Sequence, residues 1–104
     1  MKEFIVAGAL SILPLAGFAQ QSADPNLARN LAATCSNCHG TDGRSAGGIA
    51  SLAGTPKEQI VERMKDFKDG KRTATIMHQI VKGYSDSQVD MIAAYFAAQK
   101  KGTP

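Results

Sequence analysis

The sequence is poor in the residues that mark several common functions. Its 104 residues include no tryptophan, 6% aromatic side chains, 2 cysteines and 2 histidines. The shortage of aromatic residues and the lack of a dense arginine cluster argue against a nucleic-acid-binding surface. The chain also has no internal repeat and no low-complexity tract, and its length suits one domain at most.

No apolar run in the sequence has the length of a membrane-spanning helix. The longest, over residues 4–18, falls short of the ~20 apolar residues that a span requires. It follows Lys2 and leads into small residues ending at Ala19, the order found in a secretory signal peptide. We therefore predict a signal peptide over residues 1–19, a single domain over residues 20–104, and a periplasmic mature protein without a stable membrane span. An uncleaved N-terminal anchor is the alternative.

Both cysteines and one histidine fall within five consecutive residues, Cys35-Ser36-Asn37-Cys38-His39. This Cys-x-x-Cys-His pattern is the attachment signature of a c-type haem. One turn of chain places both sulfurs along one edge of a porphyrin, where each can form a thioether with a vinyl group. The histidine Nε2 can then bind the iron from the proximal side. The motif predicts one covalent haem c, held through Cys35 and Cys38, with His39 as an iron ligand.

Two other interpretations of the cysteine pair are weaker. A redox disulfide of the thioredoxin type belongs at a strand–helix junction, and no β-rich run precedes Cys35. A structural zinc site needs four ligands, and His78 is the only remaining nitrogen or sulfur ligand of the usual kind, without the usual paired spacing.

Capping residues, glycines and apolar periodicity predict an all-α domain with about four helices. Asp24 precedes the first helix, and Gly70 ends the second as a left-handed cap. Two capping boxes are predicted, one pairing Thr55 with Glu58 and the other pairing Ser85 with Gln88. The predicted helices cover residues 25–33, 56–69, 75–83 and 86–98, and a glycine-rich loop over residues 40–54 is expected to wrap the haem.

The candidates for the second axial ligand of the iron are Met64, Met77, Met91 and His78. Met64 lies in the apolar stripe of a helix, which is typical of a core residue. Met77 opens a short element far enough from His39 for the chain to go round a haem and return. Neighbouring side chains on a helix diverge by about 100°, so only one of Met77 and His78 can face the iron. The apolar pattern favours Met77, with His78 or an open site as alternatives.

These motifs together resemble a class I cytochrome c, and more narrowly the haem domains of the cytochrome subunit of flavocytochrome c sulfide dehydrogenase. The segments that carry the resemblance are residues 31–41, 67–71, 75–77, 80–85 and 94–96. The resemblance implies a small class I cytochrome c fold around one covalent haem, with Met77 as an iron ligand.

The function that we expect is single-electron transfer, without an enzymatic activity of the chain's own. The resemblance adds a flavoprotein that oxidises sulfide as a candidate electron donor. A formal charge of +3 suits docking to an acidic redox partner. The alternative is a gas-binding or catalytic haem protein whose sixth coordination site is open.

Overall fold

The computed structural model describes residues 24–101 and four isolated positions near the N-terminus, Glu3, Gly8, Ala9 and Ser11. The predicted signal peptide therefore lies almost entirely outside the described residues, as do both ends of the predicted domain.

Residues 24–101 form five α-helices, with no strand in that range. The prediction of an all-α domain is confirmed, and the helix beyond the four expected is α2, a single turn that contains Cys38 and His39. The helices are α1 (Leu27–Ala32), α2 (Ser36–His39), α3 (Lys57–Lys68), α4 (Met77–Ile80) and α5 (Asp86–Ala97), with 3-10 turns at Thr41–Gly43 and Val81–Gly83.

The two long helices, α3 and α5, have 12 residues each. At the start of α5 the predicted capping box forms: the Gln88 N–H donates to Ser85 Oγ over 3.2 Å, and the Ser85 N–H donates to Gln88 Oε1 over 2.9 Å. At the end of α3, Gly70 has φ +75°, as predicted for a left-handed cap.

The predicted capping box at the start of α3 is wrong. The residue before the helix is Pro56, whose ψ of 135° is extended, and no side chain caps this end. Thr55 is therefore one position too early to reach the exposed N–H groups of the first turn. The first helix also begins later than predicted, because Asp24 Oδ1 accepts the Asn26 N–H over 2.8 Å and forms a tight turn before Leu27.

The core lies where α5 packs against both α1 and α3. Phe96 and Ala93 of α5 are completely buried, and both α3 and α5 contribute apolar residues to the buried cluster. Met64 belongs to this core, as its place in an apolar stripe predicts. The buried cluster consists of Ala32, Ile60, Met64, Val81, Val89, Ile92, Ala93 and Phe96.

Among the residues that the structure describes, no helix combines the length and the apolar character needed to cross a membrane.

Candidate haem-binding site

A cavity of about 770 Å³ opens between α2, α3, α4 and the loops that join them. Its wall surface is mostly apolar, and its volume is within the range of about 300–1,000 Å³ typical of cofactor pockets. Cys35, Cys38, His39 and Met77, the four residues predicted to hold the haem, all line this cavity. The helical fold thus brings together two segments that are far apart in the sequence.

His39 is held by a hydrogen bond to the loop that follows it. Its Nδ1 lies 2.7 Å from the carbonyl oxygen of Ala50. Because a carbonyl oxygen can only accept, the Nδ1 atom carries the proton and Nε2 keeps its lone pair for a metal. A carbonyl partner of this kind also fixes the plane of the imidazole ring.

The two thiols differ in their surroundings. Both are free, but the Cys35 side chain is half-buried whereas Cys38 is exposed. Burial raises the pKa of the Cys35 thiol, and a hydrogen bond to the Thr34 hydroxyl opposes that effect.

The backbone that follows α2 takes conformations that require glycine at two positions. We call residues 40–54 the proximal loop. Gly40 has φ +86°, and a Cβ there would overlap the carbonyl oxygen of Arg44. Gly43 has φ +79°, and its Cβ would lie 2.7 Å from Phe96 Cδ1. These glycines are therefore needed for the turn and for close packing on α5, whereas Gly48, which lines the cavity, has open space around it.

Three polar contacts attach the proximal loop to the C-terminal end of α5 and the residues after it. The Tyr95 hydroxyl donates to Asp42 Oδ1 over 2.5 Å, and this bond, followed by burial, raises the pKa of Tyr95. Arg44 Nε donates to the Lys100 carbonyl over 2.9 Å. The Gly54 N–H donates to the carbonyl of Phe96 over 2.9 Å. Sequence reasoning missed these pairs, because each partner is about 40 to 60 positions from the other and no local spacing signals the contact.

The candidates for the second axial ligand lie at different places relative to the cavity. Met77 is half-buried and lines the cavity, whereas His78 does not line it and its Nδ1 is buried without a hydrogen-bond partner in the described chain. Met91 is also outside the lining. Met64 also lines the cavity, but it is buried in the core, with only 8% of its surface exposed.

A second tyrosine links the two sides of the cavity. The hydroxyl oxygens of Thr34 and Tyr84 are 2.7 Å apart, and both residues line the cavity. Thr34 directly precedes Cys35, and Tyr84 lies a few residues after Met77. Sequence reasoning did not identify either residue as functional.

Two arginine side chains line the cavity. These are Arg63 and Arg72, and the Arg72 guanidinium lies 5.8 Å from the centre of the Phe67 ring. Lys57 instead forms an ion pair with Asp90, with 3.0 Å between Nζ and Oδ2.

The fold and the site define a small helical domain in which two neighbouring thiols and an imidazole face one apolar cavity. The chain belongs to the cytochrome c family, whose model, described as Cytochrome c, matches residues 26–100. Membership implies a covalently attached haem c, for which Cys35 and Cys38 supply the two sulfurs. The chain is thus a class I c-type cytochrome with one Cys-x-x-Cys-His motif.

Three relatives illustrate the range of this family. The chain is 42% identical to the cytochrome subunit of sulfide dehydrogenase of Chlorobaculum tepidum over 68% of its length. It is 39% identical to cytochrome c4 of Pseudomonas aeruginosa over 92% of its length. It is 35% identical to the thiosulfate dehydrogenase electron acceptor of Thiomonas intermedia over 66% of its length. The matches span 64%, 48% and 33% of these relatives, respectively.

Proposed function

We propose that the protein carries single electrons in the periplasm with both axial positions of its haem iron occupied, by His39 and by Met77. The observation that carries this proposal is that one cavity is lined by the attachment motif and by Met77. When bound, the haem iron supplies a reversible one-electron change. His39 contributes a fixed imidazole, because Ala50 holds its Nδ1–H. Met77 contributes a soft thioether, which favours the reduced iron.

The visible spectrum tests the ligand pair. The ferric protein should show the charge-transfer band near the red end of the spectrum that marks iron–methionine bonding. Met77→Ala should abolish the band and admit carbon monoxide to the ferrous protein. His78→Gln is the matched control and should keep the band, because His78 does not line the cavity. Rapid carbon monoxide binding by the unaltered protein would instead favour the gas-binding alternative.

A flavoprotein that oxidises sulfide is the electron donor that we propose. The identity to the Chlorobaculum tepidum cytochrome subunit supports this choice. Tagged protein should capture a flavin-containing chain from periplasm, and the complex should reduce the haem when sulfide is added. Reduction by thiosulfate alone would contradict the choice and favour a donor like that of the Thiomonas intermedia relative.

Docking is expected at the mouth of the cavity, where Arg63 and Arg72 supply positive charge without an acidic side-chain partner in the described chain. Arg72→Gln should slow reduction by an acidic donor several-fold at low salt and flatten the dependence on ionic strength. Lys57→Gln should have a smaller effect, because Asp90 already balances that charge. Equal effects of the two variants would contradict docking at this mouth.

Export of the protein is proposed from the signal-peptide pattern of residues 1–19. Mass spectrometry of the haem-loaded protein from periplasm should give a mass that lacks this segment and includes the covalent haem. A mass that retains Met1 and Lys2 would indicate an anchored form.

A further inference from the structure

The segment that carries Met77 has few polar ties to the rest of the molecule. We call residues 73–84 the distal segment. Its backbone hydrogen bonds from Gln79, Ile80 and Tyr84 all end on carbonyls of the segment itself. Among the hydrogen bonds of the described residues, only the one between Thr34 and Tyr84 joins this segment to another part of the chain. Apart from that bond, the segment is held by apolar burial, chiefly of Val81, which is 1% exposed.

The Thr34 and Tyr84 hydroxyl oxygens are 2.7 Å apart, so one of the two hydroxyls donates to the other. Thr34 is itself tied to its own part of the chain, because its Oγ1 lies 3.3 Å from the carbonyl oxygen of Leu31. Because Thr34 adjoins Cys35, the bond attaches the end of the distal segment to the part of the chain that is fixed covalently to the haem.

We infer that the bond between Tyr84 and Thr34 is a clasp that keeps the Met77 sulfur on the iron. This inference rests on the proposed role of Met77 as a ligand. Tyr84 and Thr34 are positioning residues: neither binds the iron, and both act through the distal segment. When the hydrogen bond between Tyr84 and Thr34 breaks, the distal segment can move away from the haem. The sixth coordination site then becomes available to an external ligand.

Imidazole binding to the ferric holoprotein measures this opening. Imidazole can bind only when Met77 is off the iron, so its apparent affinity scales with the open population. A net hydrogen bond of ordinary strength predicts a rise of about 3- to 10-fold in apparent imidazole affinity for Tyr84→Phe. Thr34→Val should give the same rise, and the double variant should rise no further than either single variant.

Two controls separate a clasp from a general loss of stability. Thr34→Ser keeps the hydroxyl and should bind imidazole with the same affinity as the unaltered protein. Tyr95→Phe removes a hydroxyl from the other side of the site and should leave imidazole affinity within about 2-fold, since the bond to Asp42 does not involve the distal segment.

The outcomes distinguish this inference from the proposed ligand pair. If the unaltered ferric protein lacks the methionine charge-transfer band, the ligand proposal fails and takes the clasp with it. If the band is present but Tyr84→Phe leaves imidazole affinity unchanged, only the clasp is overturned. A rise in Tyr84→Phe that Thr34→Val does not reproduce also overturns it, because the Tyr84 hydroxyl would then act on some other group.

Discussion

The proximal loop and the distal segment bring the two proposed axial ligands to the same cavity by different physical means. The proximal loop is tied to the C-terminal part of the chain by three polar contacts, including the bond from Tyr95 to Asp42. The distal segment has one such bond, between the hydroxyls of Tyr84 and Thr34, and otherwise depends on apolar burial. We therefore expect the His39 imidazole to be fixed in orientation. The Met77 thioether should leave its position at a lower cost in free energy, because fewer contacts hold its segment.

A difference of this kind suits the chemistry of the two ligands. His39 directly follows Cys38 in the sequence, so covalent attachment of the haem would keep the His39 imidazole close to the iron. Met77 has no covalent tie, so its proposed place at the iron would depend on how the distal segment packs. Local opening is therefore expected on the distal side first, since it has fewer bonds to break.

The largest difference in stability should come from replacing one glycine of the proximal loop and one glycine of the distal segment by alanine. Gly40→Ala places a Cβ against the Arg44 carbonyl in a left-handed conformation and should lower the free energy of unfolding by about 2–4 kcal/mol. Gly83→Ala meets no atom within 4 Å and should change it by less than about 0.5 kcal/mol. Denaturant unfolding of the two haem-loaded variants measures both. Similar losses would mean that the proximal loop is not the more tightly specified side.

Truncation of one buried valine in the distal segment and one in α5 should distinguish local opening of the distal segment from a loss of global stability. Val81 is 1% exposed in the distal segment, and Val89 is 7% exposed in α5. Truncation of either to alanine should lower the free energy of unfolding by about 1–3 kcal/mol. Only Val81→Ala should also raise the apparent affinity of the ferric protein for imidazole, because Val81 is the apolar anchor of the segment that carries Met77. An equal rise in Val89→Ala would show that opening is global.

Much of the fold was predictable because its signals are local. The apolar faces of α3 and α5, the left-handed cap at Gly70 and the capping box at Ser85 all depend on residues within four positions of one another. At the start of α3 a local signal was misleading. Thr55 and Glu58 have the spacing of a capping box, but the extended ψ of Pro56 moves the helix start by one residue.

The candidate site was predictable only in part. The Cys-x-x-Cys-His motif is contiguous, and the choice of Met77 over His78 could be argued from the apolar pattern around them. The pairs that support these residues, such as Tyr84 with Thr34 and the Ala50 carbonyl with His39, arise only when the chain folds back on itself. Nothing in the composition of the loop specifies which of its carbonyls meets the imidazole.

The smallest expected change in stability is that of Tyr95→Phe, and this change should depend on pH. Tyr95→Phe removes the bond to Asp42 and should lower the free energy of unfolding by about 0.5–1.5 kcal/mol at neutral pH. The folded protein raises the pKa of Tyr95 above its ordinary value of 10.0, so folding favours the protonated hydroxyl. That contribution is complete below pH 10.0 and is lost as the pH rises through the pKa of the folded state.

Denaturant unfolding of both proteins at pH 7, 9 and 11 tests this sign. The gap in stability between the unaltered protein and Tyr95→Phe should be constant up to about pH 9 and narrow above it. The other groups that titrate over this pH range are present in both proteins. The difference between them therefore isolates the proximal contact, and a gap that widens at pH 11 would contradict the assignment of the Tyr95 hydroxyl as donor.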